Sequence, residues 1–193
     1  MTSGPPPGPA PIPPSAPGIV TRTVTLPTAA DTAALGRHLG ARLVAGDLVV
    51  LAGPLGAGKT CLAHGIGEGM GVQGPVTSPT FVIAREHPPR PDARRGVTLV
   101  HVDAYRLGGA GAEDGSGDPG GPGGPVGGDD IDVEAHLDAL DLDSDLSHAA
   151  VVVEWGEGVV ESLAPDHLRV RLDRADDEVR TAELTGPARL VEE

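Results

Sequence analysis

The sequence predicts one α/β domain built around a phosphate-binding loop, and three observations carry that expectation. The first is Gly53-Pro54-Leu55-Gly56-Ala57-Gly58-Lys59-Thr60, which fits G-x-x-x-x-G-K-[ST]. Its flanks agree: the apolar run Asp47–Ala52 reads as a buried parallel strand, and Cys61–Met70 as a helix stopping near Gly69 and Gly71. The second is composition. Of 14 cationic side chains 13 are arginine, and the only lysine is Lys59. A slim, flexible ammonium suits the gap between β- and γ-phosphates, which a planar guanidinium fills poorly. The third is size. Eight prolines within Met1–Gly18 predict a disordered tail, and 11 glycines and 3 prolines in the 21 residues Gly108–Gly128 predict a flexible insert. Setting both aside leaves about 154 of the 193 residues, the length of one compact domain over 19–193, interrupted at 108–128.

In chain order, Thr21–Leu26 alternates threonine with apolar residues and reads as a strand. Thr28-Ala29-Ala30-Asp31 follows as a capping box with Asp in place of Glu. Leu35, Leu39, Leu43 and Val44 then recur at helical spacing, predicting an amphipathic helix over Ala29–Ala45 that Gly46 ends. Gly56 and Gly58 let the loop turn its N–H groups toward an anion at the positive end of the next helix.

Beyond that helix, Val76-Thr77-Ser78-Pro79-Thr80-Phe81 is a stiff, hydroxyl-lined loop. It reads equally as a turn into a strand at Phe81–Ala84 or as a switch segment whose hydroxyls sense Mg²⁺ or the γ-phosphate. Val97–Asp103 and Ala149–Glu154 are strands that each end on a carboxylate. Acids at the tips of core strands in P-loop proteins hold Mg²⁺ directly or through water. Two such tips after one P-loop suggest a metal ligand and a residue that positions water. His101 lies inside its strand, as a satisfied core histidine or as a participant. The three aromatic residues, Phe81, Tyr105 and Trp155, each lie within two residues of one of these polar elements. Trp155, beside Glu154, either packs, excludes water or meets a partner. Ile131–Leu140 has helical spacing; Leu168–Leu172 and Val179–Leu184 read as a terminal hairpin turning at Arg174–Asp177.

Charge and cysteine usage bound the function. One cysteine excludes an internal disulfide and fits a reducing compartment. No apolar run nears the ~20 residues of a membrane span, and the Pro-rich start lacks a signal-peptide pattern, so a cytoplasmic location is expected. Residues 1–110 carry nine cations and six acids, whereas 111–193 carry five and 22, a net +3 against −17. The acidic half opposes direct nucleic-acid binding. It serves either as a solvated surface or as a face for a basic partner.

Together the loop G-x-L-G-A-G-K-T, then V-T-S-P-T-F, H-V-D-A-Y-R-L and V-E-W resemble the bacterial TsaE (YjeE) family, from about Val20 to Leu184 and in the right order. The resemblance implies a P-loop NTPase-like three-layer sandwich with a mainly parallel central sheet. It implies an ATPase subunit of tRNA threonylcarbamoyladenosine (t6A) biosynthesis, acting on a TsaB–TsaD assembly in which TsaD modifies adenosine 37 of tRNAs reading ANN codons. Contact with tRNA is then only indirect, and no membrane is involved. Carried over onto this chain, Gly53 and the loop Gly56, Ala57, Gly58, Lys59 and Thr60, with the Cys61 backbone, hold the phosphates of ATP. Thr60 and Glu154 bind Mg²⁺, and Asp103 stands at the Walker B-like position beside them, so that Lys59, Asp103 and Glu154 form the catalytic set. Ser78 and Thr80 match the switch segment, and the turn at Thr28 borders the adenine. The Pro-rich start and the insert at Gly108–Gly128 are additions to the family pattern; neither touches a motif.

Two other classes share the loop. A small-molecule kinase needs a lid that carries arginine onto the phosphates, and no lysine or arginine occurs between Arg106 and Arg169. A nucleotide-dependent scaffold with negligible turnover differs from a slow ATPase only in rate. Slow hydrolysis by the isolated chain is expected from the same gap: an arginine finger in cis would come from elsewhere in the chain, with Arg85, Arg90, Arg94, Arg95 and Arg106 as possible donors.

Overall fold

Short runs rich in valine, leucine and threonine assemble into one seven-stranded sheet. The strands are β1 (Ile19–Leu26), β2 (Leu48–Ala52), β3 (Ala84–His87), β4 (Thr98–Asp103), β5 (Ala149–Glu154), β6 (Leu168–Arg174) and β7 (Arg180–Pro187). Their order is β1-β7-β6-β2-β5-β4-β3. The computed structural model describes residues 18–77, 84–104, 142–158, 160–174 and 179–192, with the backbone alone at 142 and 143. Outside these lie most of the expected tail (1–17), Ser78, Thr80, Phe81, Tyr105, Arg106, the insert 108–128, the expected helix 131–140 and most of the hairpin turn.

The centre of the sheet is parallel: β6, β2, β5 and β4 pair in one direction. Both margins are antiparallel, through β1–β7–β6 on one side and β4–β3 on the other. Every residue of β2 and β5 is buried, as continuous apolar strands covered on both faces must be. Edge strand β1 instead alternates exposed with half-buried residues. The C-terminal hairpin is present, and its second strand is sandwiched between β6 and β1, tying the start of the domain to its end.

Helices α1 (Ala29–Gly40) and α2 (Lys59–Met70) lie on one face with the final helical turn Ala188–Val191, over Val49, Leu51, Leu99, Ala150 and Val152. The opposite face carries Leu48, Val50, Val100, Val102, Val151 and Val153, covered among the described residues by Leu146, Val160 and Leu163. Alternation along β4 and β5 therefore turns Leu99, His101 and Asp103, and Ala150, Val152 and Glu154, toward α2.

The capping box forms as expected. The Asp31 N–H donates to Thr28 Oγ1 (3.2 Å) and the Thr28 N–H to Asp31 Oδ2 (2.9 Å), an arrangement worth about 1 kcal/mol. The helix behind it is shorter than its apolar spacing predicts, ending at Gly40 and not at Ala45. Leu43 is still fully buried, so the periodic signal outlasts the helix. A competing turn wins there: the Val44 N–H donates to Asp47 Oδ2 (2.9 Å), and that carboxylate also pairs with Arg189. Gly46, at φ +92°, then belongs to the entry into β2 and not to a helix cap. Of the expected strand Phe81–Ala84 only Ala84 lies within the described residues, and it belongs to β3.

Glycines let α1 and α2 meet backbone to backbone. A Cβ on Gly40 would stand 2.1 Å from the Ile66 carbonyl oxygen, and one on Gly65 would stand 2.4 Å from that of Ala33. Gly36 and Gly69 extend the seam at the same four-residue spacing. This close packing fixes α2, and with it the loop at its N-terminus.

Candidate nucleotide site

The loop between β2 and α2 turns on three glycines with positive φ: Gly53 (+124°), Gly56 (+78°) and Gly58 (+109°). L-residues avoid these angles. Gly53 is doubly required, because a Cβ there would stand 2.0 Å from the Leu172 carbonyl oxygen of β6. Gly58 caps α2 with no side-chain hydrogen bond, leaving the first amides of the helix facing the loop. A cleft of about 320 Å³ opens above it, lined by the loop, Lys59, Thr60, Cys61, Asp103, Glu154 and Trp155.

Lys59 is only 5% exposed. Its Nζ donates to the carbonyls of Gly53 (2.7 Å) and Pro54 (2.9 Å) and lies 3.5 Å from the centre of the Trp155 ring. Burial pulls its pKa from 10.5 down to about 8, against the opposing pull of Glu154, Asp103 and Glu157. Trp155 takes φ +63° while its N–H still bonds the Leu51 carbonyl (3.1 Å). A bulky residue in that region costs roughly 1–3 kcal/mol, a strain typical of functional turns. The kink brings the indole against the ammonium.

Across the cleft, Thr60 Oγ1 donates to Glu154 Oε2 at 2.9 Å. Asp103 stands opposite Glu154 in the β4–β5 register, so two carboxylates end adjacent strands on one face. The buried Glu154 carries a second partner, His101, whose Nε2 lies 2.9 Å from Oε1. No group of three or more His, Cys, Asp or Glu side chains able to hold a metal occurs among the described residues. That excludes an all-protein cage there, not a Mg²⁺ held by one or two carboxylates, a hydroxyl and phosphate oxygens. The donors fit that ion. They are hard oxygens, and two oxygens 2.9 Å apart match neighbouring ligands of an octahedron with bonds of roughly 2.0–2.1 Å.

Of the residues singled out in the sequence, Gly56, Gly58, Lys59, Thr60, Cys61, Asp103 and Glu154 converge on the cleft. Gly53 and Ala57 shape the loop from behind, Ala57 being fully buried. Thr28 is engaged in its cap, but its turn abuts the loop: Thr32 Cγ2 lies 3.6 Å from a Cβ placed on Gly58, and Cys61 Sγ donates to the Ala29 carbonyl (3.4 Å).

Three of the five possible finger arginines lie away from the loop. Arg90, Arg94 and Arg95 gather around a second cleft at the other end of α2, a 12-residue helix of about 18 Å. Arg174 and Arg180, passed over in the sequence, flank the loop instead. Arg180 Nε lies 3.5 Å from a Cβ on Gly58, and an Arg174 guanidinium nitrogen 3.9 Å from one on Gly56. The two face each other across the hairpin. No local pattern marks them: Arg174 comes out on the same edge as the loop, where open α/β sheets bind ligands, only because β6 runs parallel to β2.

Comparison with known proteins gives a consistent result. The family model described as "Threonylcarbamoyl adenosine biosynthesis protein TsaE" matches residues 26–182. A Mycobacterium tuberculosis protein named "tRNA threonylcarbamoyladenosine biosynthesis protein TsaE" is 52% identical over 153 residues, covering 79% of each chain. A Streptomyces coelicolor protein of the same name is 52% identical over 156 residues, covering 79% of this chain and 88% of its own. Among solved structures, Bacillus subtilis YdiB superposes with a TM-score of 0.61 over 91% of both chains at 24% identity, a likeness of fold.

Proposed function

The chain belongs to the TsaE family, and from that premise we propose that it binds and hydrolyses ATP with Mg²⁺ as the ATPase subunit of t6A formation. Its role is in tRNA threonylcarbamoyladenosine biosynthesis, as the names of its relatives indicate. The partner is a TsaB–TsaD assembly, on which the chain acts without itself transferring threonylcarbamoyl to adenosine 37. Its location is the cytoplasm, where that tRNA is modified; among the described residues no helix is long and apolar enough to cross a membrane.

One observation carries the reading: the only lysine of the chain sits in the loop, opposite a Thr60–Glu154 pair 2.9 Å across. The amides of Gly56–Thr60 and the Cys61 N–H bind phosphate oxygens, aided by the N-terminus of α2. Lys59 leaves the Gly53 and Pro54 carbonyls to neutralise β- and γ-phosphates. Arg174 and Arg180 add positive charge at the loop's outer side. Thr60 and Glu154 hold Mg²⁺, with Asp103 as a further ligand or as the group that orients the attacking water. An ion held by these residues would supply positive charge against the phosphates. Ser78 and Thr80 keep, in this reading, the switch role that the family resemblance gives them. Trp155 excludes water from Lys59 and reports on its departure.

Arg174 and Arg180 border the loop glycines, and no arginine lines the Thr60–Glu154 side of the cleft among the described residues. Hydrolysis by the isolated chain is therefore slow, a missing finger being worth roughly 10³–10⁵ in rate. The test combines the chain with TsaB and TsaD from the same source and counts ATP hydrolysed and t6A formed over repeated cycles. Stimulated turnover and sustained cycling are expected. Fast turnover by the chain alone, or salt-sensitive binding of bare tRNA, contradicts the reading.

A further inference from the structure

His101 is fully buried inside β4, between the sheet and α2. In the parallel β4–β5 register it stands opposite Val152, while Asp103 stands opposite Glu154. It is thus a diagonal neighbour of Glu154, one pleat back from the strand ends and on the same face. The two carboxylate oxygens have separate partners: Oε1 meets His101 Nε2 at 2.9 Å, and Oε2 accepts from Thr60 Oγ1 at 2.9 Å. The terminal torsion of a glutamate is broad and two-fold, so one hydrogen bond leaves the other oxygen free to swing. A second bond from beneath removes that freedom.

Packing does not account for a histidine at this position. Its Nδ1 is buried and has no hydrogen-bond partner among the described residues. Such an orphaned polar atom is costly, and a leucine or methionine would fill the space without one. What the imidazole supplies is the bond at Nε2. A carboxylate oxygen only accepts, so Nε2 carries the proton and the tautomer is fixed.

We propose that His101 is the positioning residue of Glu154: its Nε2–H anchors Oε1, so that Oε2 is held at the Thr60 hydroxyl where a divalent cation is to be bound. This rests on the reading of Thr60 and Glu154 as Mg²⁺ ligands. Partners of ligating groups typically change metal affinity or activity 10–100-fold when lost.

Two measurements test it. Long-range proton–nitrogen correlation on the full chain labelled with ¹⁵N-histidine reads the tautomer without nucleotide or metal. The His101 ring is expected with its proton on Nε2; a proton on Nδ1 overturns the proposal. The second compares His101→Gln, whose amide nitrogen reaches the level of Nε2, with His101→Asn, whose amide stops at the level of Nδ1, and with His101→Leu. In the Asn and Leu variants the Mg²⁺ concentration for half-maximal ATP turnover should rise about tenfold or more, with ATP affinity in the absence of Mg²⁺ within about threefold. Gln should restore it to within about threefold of the parent. Equal loss in Gln and Asn, or no loss in either, overturns the proposal, and melting curves identify any variant that fails to fold. A parent chain that hydrolyses no ATP defeats the functional reading, while the tautomer measurement still decides the His101–Glu154 bond.

Discussion

The two ends of α2 make an instructive comparison. At its C-terminal end a cleft of about 480 Å³ is lined by exposed Arg90, Arg94 and Arg95 with Glu68 and Asp92. At its N-terminal end the cleft is smaller, about 320 Å³. Yet only the smaller one is built on buried polar groups: Lys59, Glu154 and His101, each held by named partners on rigid elements. Volume and surface charge do not distinguish a site here. Costly groups desolvated in a fixed arrangement beside a cleft do, and such groups mark a candidate functional site.

Removing the buried cation of the loop should widen the contrast most. Lys59→Ala is expected to abolish most ATP binding and turnover together, on the order of 10³ in kcat/KM; calorimetry and phosphate release check both. Glu154→Gln and Asp103→Asn should each lower kcat by roughly 10²–10³ while changing nucleotide affinity far less, since charge stabilisation matters most in the transition state. A variant with the parent's kcat removes its residue from the site.

The lysine also predicts a pH dependence. Phosphate binding needs the ammonium, and the free folded chain loses it around pH 8. ATP affinity should therefore fall above that pH by up to about tenfold per unit, with proton uptake on binding measurable in buffers of different ionisation enthalpy. The stability of the free chain moves the other way. Between about 8 and 10.5 the unfolded chain holds more protons on Lys59 than the folded one, so the cost of burying the ammonium is full below about pH 8 and declines as pH rises.

Smaller effects sharpen the comparison from its far end. Gly65→Ala forces a methyl against the Ala33 carbonyl and should destabilise by about 1–3 kcal/mol in denaturant melts. Arg94→Ala with Arg95→Ala should leave ATP affinity and turnover within about threefold, because these side chains are exposed at the opposite end of the helix. A larger loss would show that the second cleft belongs to the same site.

What the sequence made legible follows the same division. The loop, the two carboxylate-tipped strands and the terminal hairpin were readable because local pattern and tertiary role coincide: apolar runs enter the sheet and polar residues mark their ends. The end of α1 was not, since Leu43 keeps helical spacing while packing from a turn that Asp47 organises. Nor was the glycine seam between α1 and α2, whose meaning depends on which helix lies opposite. Arg174 and Arg180 were missed because their place beside the loop depends on β6 pairing with β2, a contact across more than 100 residues. His101 stood open as core or participant, and its contact with Glu154 Oε1 depends on the β4–β5 register, which spacing alone does not reveal.

Single-turnover hydrolysis of ATP by the parent chain and by Glu154→Gln, each with and without TsaB–TsaD, tests the central claim most directly. The account predicts slow, Mg²⁺-dependent phosphate release by the parent chain, acceleration by the partners, and loss of both in the variant while nucleotide stays bound. Phosphate release that is equal in the two chains, or a parent chain that binds no nucleotide, would contradict it.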